Sequence, residues 1–392
     1  MTDTSLKAEA VRCPHCGAPL RFDVKLQMLC CDHCGEKAEP CEINIKDVSN
    51  YEAAKTSNEN LSAFRCTACG AEMYSSSVTA ALTCPYCGNN AVVPAQLSGL
   101  LKPDYVIPFS KGKDDVLAAY ERYRNRNIFK RFMQPKVFRR KLDIDDVQGI
   151  YVPFRLYDGS AEIEAGFVTY DKKSEQFTEE VTGSLEFENV PADASKRIAD
   201  DLMDNIEPYD LSNLQPFSAG YLPGMLAERL DEDAEEDEKR ALGRIKKSSL
   251  SQAKKELNHK RILEELSGNV QLSIKASHYA LLPVWLLTTR FNDSVYRFAM
   301  NGQTGKFIGE LPMSARKTLS LTFLALILPI VLCMAIRSDL WAIGLTIGMF
   351  GALAVILGIF WIMQVKDKAS IWDADYYIKG KIKIKSHTEK RK

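Results

Sequence analysis

The sequence predicts an α+β fold made of three kinds of part. These are tandem four-cysteine ribbons, a mixed, largely antiparallel sheet domain with a helical insertion, and a C-terminal two-helix transmembrane hairpin. Three observations predict it. Four CxxCG knuckles fall before residue 90, short strand-like and helix-like segments alternate through the middle, and two long apolar runs stand near the end.

At 392 residues the chain has room for two or three domains. Its 51 basic and 51 acidic residues leave a net charge of zero, so no global field favours a nucleic-acid partner. Ten of the eleven cysteines precede residue 90, and eight of them form CxxC pairs. In a reducing compartment that pattern argues for metal rather than disulfides.

The knuckles form an internal repeat. Cys13-Pro14-His15-Cys16-Gly17-Ala18 recurs as Cys66-Thr67-Ala68-Cys69-Gly70-Ala71, and Cys31-Asp32-His33-Cys34-Gly35 as Cys84-Pro85-Tyr86-Cys87-Gly88, at a constant offset of 53 residues. Two residues between cysteines turn both thiolates toward one ion, and the glycine that follows relieves the tight turn. Two knuckles make a tetrahedral four-sulfur site, which suits zinc. The spacing therefore predicts two structural zinc ions. One is expected on Cys13, Cys16, Cys31 and Cys34, the other on Cys66, Cys69, Cys84 and Cys87. An iron site of rubredoxin type would use similar knuckles with a longer spacer, and a thioredoxin-like site would need one CxxC opening a helix. Cys30 aligns with Thr83, so the repeat gives the ligand role to Cys31. His15 and His33 read as turn residues, Cys41 as a lone thiol, and Cys333 as a small apolar residue.

The expected boundaries follow. Residues 1–45 make the first ribbon, 46–62 a polar linker, and 63–99 the second ribbon. Residues 100–315 make the α+β domain. There, Asp104–Phe109 reads as a strand, followed by a helix from about Lys113 to Phe132. Gly149 to Tyr170 reads as two strands joined by a turn at Asp158-Gly159. A turn at Lys172-Lys173-Ser174 precedes strands from Phe177 to Val190. Ser195 is the expected N-cap of a short helix reaching Ile206, and Pro223 to Ser267 reads as helix, broken near Gly243. The acidic run Asp231–Glu238 reads as a solvated face. Strands return from Asn269 to Leu311, with a turn at Asn301-Gly302.

A basic patch runs from Lys111 to Lys141. It holds Lys111, Lys113, Arg122, Arg124, Arg126, Lys130, Arg131, Lys136, Arg139, Arg140 and Lys141, interleaved with Tyr120, Tyr123, Phe129, Phe132 and Phe138. Basic and aromatic residues together suit single-stranded nucleic acid or an anionic lipid surface. An amphipathic helix with buried aromatics produces the same pattern.

The apolar runs are Leu319–Ile336, of 18 residues, and Leu340–Met363, of 24. As helices they reach about 27 and 36 Å, against a hydrocarbon core of about 30 Å. Helices at 318–336 and 340–363 are thus expected to span, with a basic cytoplasmic tail at 364–392. Arg316, Lys317, Lys366 and Lys368 flank the pair and predict a multi-pass cell-membrane protein with both termini in the cytoplasm. No cleavable signal is read at the start. Gly344, Gly348 and Ala352, with a second stripe at Gly351, Ala354 and Gly358, offer a close-packing face, either for Leu319–Ile336 of the same chain or for a second copy or membrane subunit.

Taken together, the four knuckles, Lys102–Phe109, Gly149–Phe154, Ile206–Asp210, Leu282–Trp285 and Asn301–Gly305 resemble a bacterial membrane-anchored tandem zinc-ribbon family. Its members are often labelled zinc-ribbon or, misleadingly, primosomal-helicase-like proteins. The resemblance implies partners of the phage-shock-protein-A-like and SPFH (flotillin-like) kinds, and a non-enzymatic adaptor in membrane-stress homeostasis. The helicase label fails on the residues: no GxxxxGK[ST] loop is present, and Gly302-Gln303-Thr304-Gly305-Lys306-Phe307 is too short and lacks the hydroxyl for magnesium. HExxH and GxSxG are absent as well. The alternative expectation is a membrane-tethered nucleic-acid binder using the ribbons and the basic patch.

Overall fold

The computed structural model describes residues 6–41, 61–87, 89–97, 102–126, 128–135, 138, 147–170, 176–230, 234–257, 261–291, 294–309, 311, 314–336 and 376–387, with 347, 349–351 and 353–354. The first cysteine unit holds strands β1 (Leu6–Ala10), β2 (Leu20–Asp23), β3 (Met28–Cys31) and β4 (Lys37–Ala38). The second holds β5 (Leu61–Cys66), β6 (Glu72–Ser76), β7 (Thr79–Thr83) and β8 (Asn90–Val92). Then come β9 (Tyr105–Val106), helices α1 (Lys113–Asn125) and α2 (Ile128–Met133), β10 (Val147–Tyr170) and β11 (Gln176–Asp193). Helix α3 (Asp200–Ile206), β12 (Gln215–Pro216), β13 (Leu226–Glu228) and helix α4 (Ala234–Glu256) follow. The remainder is β14 (Arg261–Phe291), β15 (Ser294–Asn301), β16 (Phe307–Gly309), helix α5 (Ala315–Ile336) and β17 (Ile378–His387).

Strands β10 and β14 form the spine, paired antiparallel from Val147↔Leu287 to Tyr170↔Arg261. With 24 residues in β10, the ladder is about 80 Å long. Strands β11 and β13 share one edge of β10: β13 pairs in parallel at Ile150 and Tyr151, and β11 takes over from Phe154. The edge of β14 holds β9 and then β15, which carries β16. Helix α4 lies against β10, β11 and β14, burying Ala241, Ile245 and Ala253 with Phe167, Val181 and Leu185. That alternation of small and large residues lets the helix approach the sheet closely.

The fold class needs correction in two ways. First, the ribbons are not free-standing units ahead of a sheet domain. Most strands belong to one mixed 14-stranded sheet, and β7 of the second ribbon joins it through β13. Only β2, β3 and β4 form a separate small sheet.

Second, the transmembrane hairpin is not found. Among the described residues no helix is long and apolar enough to cross a membrane, which overturns the expected multi-pass location as well. The first run does form α5, but the helix includes Arg316 and Lys317 in its first turn and Ser320, Thr322 and Pro329 further along. Its base is fastened to the α2 region: Ser314 N donates to Met133 O at 2.8 Å, and Lys317 Nζ to Gln134 O at 3.1 Å. The second run lies largely outside the described residues, as do Gly344, Gly348, Ala352 and Gly358. The stretch read as a basic tail returns to the sheet as β17, antiparallel to β11 from Phe187↔Ile378 to Thr178↔His387.

Three local expectations change for physical reasons. Asp158-Gly159 is no hairpin turn but a bulge inside β10, where the register shifts against both neighbours. A Cβ at Gly159 would lie 2.2 Å from Ser273 O and 2.4 Å from the Phe187 ring, so close approach selects glycine. Ser195 caps no helix: its hydroxyl donates to Glu228 Oε2 at 3.2 Å, and α3 starts after Ala199. The Pro223–Ser267 segment is helical only over α4, which runs unbroken through the exposed Gly243. The turn at Lys172-Lys173-Ser174 lies outside the described residues, though the strands on either side pair at Tyr170↔Gln176.

The acidic run is only partly a solvated face. Asp237 is fully buried, its Oδ2 accepting from Arg155 Nε at 2.9 Å. One turn on, Arg240 pairs with the buried Asp193 at 2.6 Å, and Arg244 bridges Asp204 at 2.7 Å and Glu207 at 2.8 Å. Burial pushes the Glu207 carboxyl well above its usual range, and Arg244 opposes that shift. Charges thus fix the position of α4 on the sheet.

Replacing Gly159 by Ala is expected to destabilise the chain by about 1–3 kcal/mol through overpacking against the β14 backbone. Thermal or denaturant unfolding measures it. The same change at the open Gly243 is expected to leave stability unchanged or slightly raised.

Candidate metal centres

Four copies of one loop build the sites. In each, the first cysteine's N–H donates to the carbonyl five residues on: Cys13 to Ala18 at 2.8 Å, and Cys31 to Glu36, Cys66 to Ala71 and Cys84 to Asn89 at 2.9 Å. The glycine N–H returns to the first cysteine's carbonyl, at 2.9 Å for Gly17 and Gly35 and 2.8 Å for Gly70. These glycines have φ of +73°, +76° and +74° with no atom near a would-be Cβ, so the left-handed backbone is what requires them. Gly88 lies outside the described residues.

The loops bring the thiols together as the spacing predicts. Cys13, Cys16, Cys31 and Cys34 form one quartet and Cys66, Cys69, Cys84 and Cys87 the other, with the sulfurs of each within 4.8 Å of one another. Sulfur separations are 3.6 Å for Cys13–Cys34 and 3.4 Å for Cys16–Cys31. They are 3.9 Å for both Cys66–Cys87 and Cys69–Cys84. Bonds of about 2.3 Å to a tetrahedral ion place sulfurs about 3.8 Å apart. Each quartet could hold a metal ion.

The electrostatics agree with that geometry. The Cys34 amide N–H, then that of His33, draw the Cys31 thiol down to about 6 against the cost of burial. At Cys34 the Glu36 amide favours the thiolate, but burial and the neighbouring thiols hold it up at about 12. In the second quartet the side-chain amide of Asn89, 3.3 Å from sulfur, leads the lowering of Cys87 to about 6. Cys69 stays raised, at about 11, because its neighbouring thiols and burial outweigh the Ala71 amide. Four thiolates this close ionise together only around a cation.

The other candidates fall outside the quartets. Cys30 is buried and its sulfur lies 3.9 Å from Met28 O, while Cys31, the next residue along β3, belongs to the quartet. Successive side chains on a strand face opposite ways. His15 Nε2 lies 3.6 Å from Glu36 Oε1 at the surface, and Cys41 Sγ 3.6 Å from Glu39 Oε2.

The two centres are interlocked, which the repeat did not reveal. Strand β1, which leads into the first knuckle, lies between β5 and β8 of the second unit. It runs parallel to β5, with Ala8 opposite the ligand Cys66, and antiparallel to β8, with Ala10 opposite Ala91. Thr67 inside the third knuckle donates its N–H to Ala8 O and accepts from Ala10 N on its hydroxyl, both at 3.0 Å. Asn90 Nδ2 reaches Leu20 O at 2.8 Å. The first unit also touches the sheet domain, Phe22 N donating to Pro223 O at 2.8 Å and Gln27 Nε2 to Phe109 O at 2.7 Å.

Over the described residues the basic patch forms two helices, α1 and α2, with part of its aromatic set buried. Tyr120 and Phe138 are buried; Tyr120 packs on Phe298 and Phe307, and Tyr123 on Phe307. Arg124 lies over the Tyr120 ring at 5.9 Å. Lys113, Arg122, Arg126 and Arg131 are exposed, and so is Phe132. Lys136, Arg139, Arg140 and Lys141 lie outside the described residues, and of the Lys130 and Phe129 side chains nothing is described.

Sequence reasoning also left several shared segments without a role, and the structure supplies one. Asn301 Nδ2 donates to Ile206 O at 3.1 Å and Pro208 O at 3.3 Å. Gln303 holds Asp210 twice at 2.8 Å, accepting from its N–H and donating to its carbonyl. Tyr209 N donates to Tyr377 OH at 2.9 Å. Pro283 O accepts from Gly302 N at 2.8 Å and from Tyr209 OH at 3.3 Å. Phe109 packs edge-on against both Tyr151 and Trp285, each 5.0 Å away. The segments Lys102–Phe109, Gly149–Phe154, Ile206–Asp210, Leu282–Trp285 and Asn301–Gly305 thus form one junction.

No protein-family model and no solved structure matches the chain. A protein of Bacillus subtilis (strain 168), the uncharacterized protein YdjG, is 30% identical over 327 residues, spanning 78% of this chain and 91% of that protein.

Purified full-length chain is expected to carry two zinc ions by elemental analysis, and chelation is expected to melt the ribbon strands. One ion per chain, or an iron–thiolate absorption band, is the contrary result. The interlock adds an asymmetry. Cys66→Ser with Cys69→Ser is expected to lose more than one metal equivalent, because β1 loses its seat. Cys13→Ser with Cys16→Ser is expected to cost a single equivalent. Elemental analysis with hydrogen exchange at Leu6–Val11 decides between coupled and independent sites.

Proposed function

The chain belongs to the family of the Bacillus subtilis uncharacterized protein YdjG, and from its two metal centres we propose that it is a zinc-dependent, non-enzymatic adaptor for partner proteins. One observation carries the reading: each centre draws all four donors from the chain's own cysteines. A tetrahedral ion held by four thiolates has no position left for water or substrate, which is how structural sites differ from catalytic ones. Zinc suits the all-sulfur donor set and needs no redox partner. Bound, it would supply cross-linking of the knuckles, with Cys13, Cys16, Cys31 and Cys34 on one ion and Cys66, Cys69, Cys84 and Cys87 on the other.

The long sheet supports the same reading, since an extended platform fixed by paired charges displays surface to a partner. Candidate partners are phage-shock-protein-A-like and SPFH-like proteins, the kinds that the zinc-ribbon resemblance implies. The nucleic-acid alternative has less support, because Tyr120 and Phe138 are packed in the core rather than offered for base stacking.

The test is in-cell crosslinking of the tagged full-length chain followed by mass spectrometry. Specific partner proteins are expected, and their capture is expected to fall in the Cys66→Ser, Cys69→Ser variant. Absence of any crosslinked protein, together with steeply salt-dependent binding of single-stranded DNA, would replace the adaptor with the nucleic-acid binder.

A further inference from the structure

The first ribbon, the second ribbon and the spine meet around a groove of about 740 Å³. That volume is within the range of about 300–1,000 Å³ usual for ligand sites, and junctions between structural units are where such sites concentrate. Its apolar lining comes from all three parts: Phe22 from the first, Leu82 from the second, and Trp285 of the spine with Met225 beside it. Gly149 lies between the last two, and a Cβ there would meet Met225 Sδ at 2.6 Å and the indole at 3.0 Å.

Two further features narrow the occupant. The first is backbone. Strand β13 covers its edge of β10 only at Ile150 and Tyr151, and β11 pairs from Phe154. Val147, Gln148 and Gly149 line the groove together with Gly224 and Met225, which lead into β13, and among the described residues no strand pairs with this part of the edge. An unpaired strand edge accepts an extended peptide by main-chain hydrogen bonds, with pockets taking alternate side chains. The second is charge. Asp23, the acidic residue of the lining, is already committed: its carboxylate accepts from Lys25 N at 2.9 Å, Leu26 N at 3.0 Å and Arg21 at 3.3 Å. Arg21 is in turn held by Asp32 at 2.9 Å. Lys25 and Lys113 line the groove, are exposed, and have no carboxylate partner among the described residues.

We infer that this groove binds an extended peptide segment of a partner protein, with acidic side chains facing Lys25 and Lys113 and apolar ones against Phe22, Leu82 and Trp285. The inference rests on the adaptor reading and names the chemistry of what is recruited. The segment adds a short strand to β10 at Val147–Gly149, and the two ammonium groups set its polarity and register.

The experiment uses the full-length, zinc-loaded chain and a display library of random octapeptides. Selection is expected to enrich peptides alternating apolar residues with Asp or Glu. By fluorescence anisotropy, the enriched peptide is expected to bind the Lys25→Glu, Lys113→Glu chain roughly tenfold more weakly or worse. Zinc content should stay at that of the unaltered chain, which shows the double variant to be folded. N-methylation at alternate peptide nitrogens is expected to abolish binding. No enrichment, enrichment of basic peptides, or unchanged binding to the double variant overturns the proposal. So do displacement of the peptide by dodecyl phosphate, which gives the groove to small amphiphilic anions, and self-association lost in the double variant, which gives it to a second copy. If the double variant still crosslinks to every cellular partner, the groove falls and the adaptor stands. If the unaltered chain binds the peptide but captures no partner, the adaptor falls and the groove stands.

Discussion

The antiparallel ladder between β10 and β14 is the constraint on which everything else depends. One edge of β10 carries, in succession, the strand that admits the cysteine units and the strand that accepts β17. The edge of β14 carries β9 and the β15–β16 hairpin. A ladder this long stays in register only if slips are penalised, because a one-residue slip sends every side chain to the opposite face. The bulges at Gly159 and Gly166 absorb the sheet's twist at defined places, and the buried Arg155–Asp237 pair marks the face that α4 covers.

Buried charge does different work in the two halves of the molecule. Around α4, Asp193, Asp204 and Glu207 face Arg240 and Arg244, so the helix is located by pairs that tolerate no rotation. Such pairs add little net stability against well-packed apolar residues, but losing one partner strands the other. In the ribbons eight thiols stand in two quartets, and all four of a quartet ionise together only around a cation.

What the sequence revealed depended on how local the governing interaction is. The two cysteine quartets were legible because a knuckle is a six-residue event repeated four times, and Cys31 was separable from Cys30 by counting alone. The embedding of β1 in the second unit was not legible, since Leu6–Phe64 pairing joins residues far apart with no turn chemistry between them. Asp158-Gly159 looked like a hairpin because its turn propensity is strong, yet the ladder on both sides overrode it. Strand β17 carried a signal that was available and outweighed: Ile378, Gly380, Ile382 and Ile384 alternate with lysines at period two. Its charge invited the reading of a tail, although lysines are also what edge strands carry. The apolar runs misled because hydropathy and length were the whole argument, with nothing in it about where the chain goes next.

That return has a kinetic side. Strand β11 is complete at Asp193, but the strand that covers its outer edge begins at Ile378. At ribosomal speeds the roughly 180 intervening residues take about 10–40 s to synthesise. Throughout that interval the nascent chain presents an open row of peptide groups from Thr178 to Phe187, to which any neighbouring polypeptide could add. Glu180 and Glu186 along this edge are exposed and negatively charged, whereas Glu179 is buried. In the finished sheet Glu180 and Glu186 stand opposite Lys385 and Lys379 of β17. Like charge along an edge opposes its pairing with another copy of itself, and opposite charge favours the strand that arrives last.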